Sequence, residues 1–139
     1  MGAAGGDPGP TRGDAATVEE LLAAAREGIA RFTPAETIAA VARGALLIDI
    51  RQAHQRERDG SVPGAAVVER NVLEWRLDPR GAHRDPRLAR EGVPVILICD
   101  EGYQSSLAAA LVRRFGLDAG DVIGGVQAWI ADGLPLGDA

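Results

Sequence analysis

Lysine is missing from this 139-residue chain, and all fifteen of its cationic side chains are arginine. Set against twenty acidic residues they leave a formal charge of −5. With no dense basic run, nucleic acid is not the expected partner. Aromatic residues make up only 4% of the chain, so a core must be packed mainly by Ala, Val, Leu and Ile; 46% hydrophobic content is enough for one domain of this length. No apolar stretch approaches the length of a signal peptide or a membrane span, which points to a cytoplasmic protein with no membrane partner. Cysteine occurs once, as Cys99, which excludes an internal disulfide and implies no oxidising compartment. The two histidines, His54 and His83, have neither metal-ligand spacing nor a cysteine neighbour in sequence, so no metal and no cofactor are indicated.

What is present reads as alternating helices and strands. Residues 1–16 are Gly, Pro and Ala without apolar periodicity, the pattern of a disordered tail, and a single domain is expected over residues 17–139. Thr17 with Glu20, and Thr33 with Pro34 and Glu36, are capping boxes that open two helices, the second stopping at Gly44. Ala45–Ile50 is an unbroken apolar strand, Gln52–Asp59 a charged helix ended by Gly60, and Ala65–Val68 a short strand. Residues 69–92 read as irregular or weakly helical. Val93–Ile98 is the expected central strand. A helix after Ser105 carries Leu107, Leu111 and Phe115 on one face, Asp121–Ile123 is a last short strand, and Val126–Asp132 a last helix. Strands separated by helical segments predict an α/β fold with a mainly parallel sheet and helices on both faces, with ligands at the carboxyl ends of the strands.

Cys99 falls at such an end. It closes the run Val93-Pro94-Val95-Ile96-Leu97-Ile98 and opens a polar loop, Cys99-Asp100-Glu101-Gly102-Tyr103-Gln104, that leads into a helix. A lone cysteine after Val and Ile has two readings: a small buried hydrophobe, or a nucleophile whose thiolate is held by free N–H groups and the positive end of a helix dipole. Gly102 favours the second, because it lets the loop turn its amides inward, and Ser105 is placed to cap the helix.

Cys99, Gly102 and Ser105 together resemble the active-site loop of the rhodanese-like sulfurtransferase family, Cys-x-x-Gly-x-Arg-Ser, with Gln104 where arginine is usual. Leu46–Arg51 followed by Gly60-Ser61-Val62-Pro63-Gly64-Ala65 is similar to the family's Asp-x-Arg strand and Gly-His-Ile-Pro-Gly-Ala turn, with Ser61 for histidine. Gly124-Gly125-Val126-Gln127-Ala128-Trp129 and Gly133-Leu134-Pro135 are close to its C-terminal signature. The likeness spans residues 33–136 and implies a three-layer fold with a central, mainly parallel sheet.

The resemblance further implies that Cys99 takes a sulfane sulfur as a persulfide and passes it to a thiol or other nucleophile, as in a thiosulfate sulfurtransferase. The partners are then a small sulfur donor and a thiol acceptor. Asp100, Glu101, Gly102, Tyr103, Gln104 and Ser105 form the substrate loop, and Asp49 and Arg51 are structural. Gln104 removes a cation while Asp100 and Glu101 add carboxylates, so thiosulfate, a dianion, is expected to be a poor donor unless Arg70 or Arg76 supplies charge. Two other functions compete: a non-catalytic binding or redox-sensing module, and a phosphatase or arsenate reductase. The latter needs a longer loop ending in an arginine that clamps phosphate oxygens.

Overall fold

Both capping boxes form. In the computed structural model, which describes residues 12–138, the Thr17 hydroxyl accepts the Glu20 N–H at 3.1 Å while Glu20 accepts the Thr17 N–H at 3.0 Å, opening α1 (Val18–Glu27). Thr33 and Glu36 repeat the arrangement at the start of α2 (Pro34–Ala42), with Pro34 at the first helical position where its missing N–H costs nothing. The tail expected over residues 1–16 lies outside the described residues as far as residue 11; Arg12–Asp14 form a single 3-10 turn.

The remaining elements are β1 (Ala30–Phe32), β2 (Leu46–Asp49), α3 (Ala53–Asp59), β3 (Ala65–Val67), α4 (Leu73–Leu77), β4 (Val95–Ile98), α5 (Gln104–Arg113), β5 (Ala119–Val122) and α6 (Gly125–Ala131). The five strands form one sheet in the order β1-β5-β4-β2-β3, parallel at every junction. β4 is the middle strand, and its four residues are wholly buried because helices cover both faces. Val95 and Leu97 point into a core shared with Ile48, Leu73, Leu77, Ala108, Ala109 and Val112, on the side of α4 and α5. Ile96 and Ile98 point into the other, with Ala40, Leu47, Val62, Val126 and Trp129, on the side of α2 and α6. This alternation is the period-two geometry of a strand buried on both faces. Among the described residues no helix is long and apolar enough to cross a membrane.

Three features differ from the sequence reading. β1 is a strand that the sequence does not announce. It pairs with β5 through Ala30–Gly120, Arg31–Asp121 and Phe32–Val122. The buried face of α5 is Ser105, Ser106, Ala108, Ala109 and Val112, not the expected Leu107, Leu111 and Phe115, which are half-buried. Small side chains bring the helix axis close to the sheet, and α1 packs across α5 from outside. Finally, α5 begins at Gln104 and Ser105 does not cap it; its hydroxyl is turned to a buried carboxylate.

Candidate active site

Cys99 follows β4 immediately, and the chain reverses over Asp100–Tyr103 before α5. The Gly102 N–H donates to Cys99 Sγ at 3.2 Å and the Ser105 N–H at 3.3 Å. The Ser105 N–H is one of those left free at the start of a helix, and the Gly102 N–H belongs to the loop before it. Cys99 is 6% exposed, on the floor of an open cleft of about 260 Å³ whose walls include Ile50, Arg51, Gln55, Glu101, Tyr103 and Gln104. Gly102 holds φ at +85°, and a β-carbon there would lie 2.6 Å from the Gly124 nitrogen, so only glycine fits. The turn into α6 also grips the loop through its main chain. Val126 N–H donates to the Cys99 carbonyl at 2.9 Å and Gln127 N–H to the Asp100 carbonyl at 3.0 Å.

Two ion-paired frameworks stand on either side. At the end of β2, Arg51 Nη2 donates to Asp49 Oδ2 at 2.7 Å and to the Gly60 carbonyl at 2.8 Å, and Arg51 Nε reaches Asp49 Oδ1 at 3.0 Å. Both side chains are fully buried. Arg51 therefore borders the cleft with its guanidinium already bonded, and ties β2 to the end of α3. On the far side, Asp121 of β5 is fully buried and takes the hydroxyls of Ser105 and Ser106, each at 2.7 Å, and Arg31 Nε at 2.9 Å. Arg26 donates from Nε to Ser106 Oγ at 3.0 Å and from Nη2 to the Gly102 carbonyl at 2.8 Å. Its guanidinium carbon lies 5.7 Å from the centre of the Tyr103 ring.

Of the loop residues named from sequence, Glu101, Tyr103 and Gln104 are exposed at the cleft mouth. Asp100 is turned aside: its Oδ1 accepts from Arg58 Nη2 at 2.8 Å and Gln127 Nε2 at 2.9 Å. Arg58 also binds Asp59, whose carboxyl it holds below the usual range chiefly through that hydrogen bond. Arg70 pairs with Glu74 at 2.7 Å and Arg76 donates to the His83 carbonyl at 3.0 Å; neither lines the Cys99 cleft. Among the described residues no group of three or more His, Cys, Asp or Glu side chains is placed to hold a metal ion. The sequence reading overlooked Arg26, Arg31, Ser106 and Asp121. The one signal available was Asp121 itself, a carboxylate amid Ala119, Gly120 and Val122, all buried.

A strand-borne cysteine over a glycine loop, flanked by an Asp-x-Arg strand end, suits a known family, and the Rhodanese-like domain model matches residues 33–132. The chain belongs to that family. This rhodanese-like domain is 34% identical over 88 residues to an adenylyltransferase and sulfurtransferase of Zea mays, which covers 63% of the chain and 18% of the maize protein. The chain thus corresponds to under a fifth of the length of the curated relatives it matches. A protein of unknown function and possible tyrosine phosphatase from Rhodopseudomonas palustris superposes with a TM-score of 0.79 at 30% identity, covering 94% of this chain and 99% of that one. The thiosulfate sulfurtransferase of Pseudomonas aeruginosa shares the fold, with a TM-score of 0.66 at 19% identity over 85% of this rhodanese-like domain and 22% of that chain.

Proposed function

We propose that this rhodanese-like domain is a sulfurtransferase that carries sulfane sulfur on Cys99. The observation behind the reading is a lone thiol on the floor of an open cleft, with two backbone N–H groups directed at its sulfur. The Cys99 thiolate attacks the outer sulfur of a donor. A new S–S bond forms to Cys99, the donor's own S–S bond breaks, and the leaving thiolate, or sulfite from thiosulfate, departs with the electron pair. An acceptor thiolate then attacks the outer sulfur and releases Cys99 as a thiolate. No external oxidant or reductant is consumed, and charge stays on sulfur throughout, where preorganised amide donors serve it best.

Donor choice follows from the cleft's charges. Gln104 brings no cation, Glu101 puts a carboxylate at the mouth, and the Arg51 guanidinium is bonded to Asp49 and Gly60. An organic persulfide suits such a site better than thiosulfate. The same feature disfavours phosphoryl transfer, which depends on a free guanidinium fork for the phosphate oxygens. Intact mass measurement after incubation with glutathione persulfide or thiosulfate tests the reading. The protein should gain one sulfur atom, and Cys99→Ser should gain none while keeping its fold. Sulfur transfer retained by Cys99→Ser would overturn the mechanism.

A further inference from the structure

α1 and β1 precede the stretch matched by the family, residues 33–132, yet they deliver two guanidinium groups to the back of the Cys99 loop. Arg26, in the last turn of α1, donates to the Gly102 carbonyl at 2.8 Å; Arg31, in β1, donates to the same carbonyl at 3.3 Å. Arg31 is itself aligned by Asp121, its direct partner in the β1–β5 register. Arg26 is aligned by the Ser106 hydroxyl oxygen, which lies 2.7 Å from Asp121 Oδ2 and 3.3 Å from the Gly102 carbonyl. One loop carbonyl thus takes two cationic donors, on the residue whose N–H reaches Cys99 Sγ at 3.2 Å.

Gly102 is the loop position with the widest conformational choice, and nothing in its own side chain holds it. The carbonyl clamp does. A planar trans peptide points its N–H opposite to its C=O, so anchoring the Gly102 carbonyl also turns the Tyr103 N–H away from the guanidinium pair. The clamp is cationic as well. Arg31 shares a carboxylate, whereas Arg26 has no carboxylate partner among the described residues and donates to a hydroxyl and a carbonyl instead.

We propose that Arg26 and Arg31 are positioning residues for sulfur transfer: they fix Gly102 so that the loop amides stay on the Cys99 sulfur, and they face the loop from behind with net positive charge. The proposal rests on Cys99 being the sulfur carrier. It makes the segment before the family-matched stretch part of the working site.

The test compares the full chain with Arg26→Ala and Arg26→Lys, the latter keeping the charge and the aliphatic stem but not the fork. Arg26→Ala should slow persulfide formation at saturating glutathione persulfide about tenfold, with little change in the half-saturating concentration, and Arg26→Lys should recover part of the rate. The Gly102 amide resonance should move and its hydrogen exchange quicken in both variants. An unmoved Gly102 amide with an unchanged rate in a folded Arg26→Ala protein would overturn the proposal and leave Arg26 as a staple between α1 and α5. If Arg26→Ala does not fold, Arg26→Lys decides by the same amide signal. If the parent protein accepts sulfur from no donor, the sulfurtransferase reading fails by itself. The amide signal and the rate of Cys99 alkylation by iodoacetamide then still decide the clamp: both altered supports it, both unaltered sinks it.

Discussion

Asp49 and Arg51 stand two residues apart at the end of β2, whereas Arg31 and Asp121 meet across two strands from positions 90 apart in the chain. The first pair is sealed, with no exposed surface on either side chain. The second is open on one side, since Arg31 keeps 20% of its side-chain surface while Asp121 keeps none. Sealed charges depend on each other completely, because no water replaces a lost partner; half-open charges can be rehydrated. The local pair therefore holds the fold, and the long-range pair, joined by Arg26, holds the loop.

Breaking the sealed pair should have the largest effect. Asp49→Asn leaves the Arg51 guanidinium buried without its counter-charge, and urea unfolding should show a loss of about 3–5 kcal/mol. A loss below about 1 kcal/mol would mean that the Gly60 carbonyl and the Gln55 carbonyl, 3.4 Å from Arg51 Nη1, suffice for Arg51, and the contrast between the pairs would collapse. Asp121→Asn should cost less, about 1–3 kcal/mol, because the amide oxygen still accepts one donor and Arg31 reaches solvent. Its transfer rate should nevertheless fall more steeply than its stability, since Ser105, Ser106 and Arg31 all lose their common anchor. Equal rates in the two variants, once both are folded, would erase the distinction.

Smaller effects sharpen the comparison at the cleft mouth and in the helix caps. Gln104→Arg adds a cation on the substrate side of the loop, opposite in role to the two behind it, and should lower the Michaelis constant for thiosulfate about tenfold at most, given the exposure of that position. A constant that does not move would show that another cation already meets the dianion. In the capping boxes, the Thr17 N–H lowers the Glu20 carboxyl below its ordinary 4.5, and the Thr33 N–H does the same for Glu36. A depressed carboxyl contributes stability that is complete above the ordinary value and fades as pH falls through the lower folded one. Glu20→Gln and Glu36→Gln should each flatten the loss of stability below about pH 4.5. Only Glu20→Gln, in the helix that carries Arg26, should also disturb the Gly102 amide; paired NMR and urea titrations check both expectations.

Features set by neighbouring residues were legible from sequence. The two capping boxes, the apolar runs of β2 and β4, and the Cys99-to-Gly102 turn each carry their reason within a few positions. β1 does not, because Ala30-Arg31-Phe32 is too short to display alternation and becomes a strand only through β5. Ser105 misled for the same reason: beside a helix start a serine reads as a cap, and the carboxylate that captures it lies 16 positions on. The buried face of α5 is not legible from side-chain size, because a helix lying close on a sheet buries Ala108 and Ala109 and leaves Leu107 and Leu111 half outside.

The strand order also bears on when the protein becomes reactive during its own folding. β5 lies between β1 and β4, so β1 joins the sheet only through β5, from positions 90 apart in the chain, and a contact of that separation carries a large loop-closure cost. Before it enters, β4 and α5 can already place Cys99 beside its loop, but Asp121 is not there to align Arg31 and the serines. A nascent or partly refolded chain accordingly carries a thiol without its clamp. On the proposed mechanism, the clamp behind Cys99 is complete only with β5 seated, so the pairing of β1 with β5 that completes the sheet also completes the site.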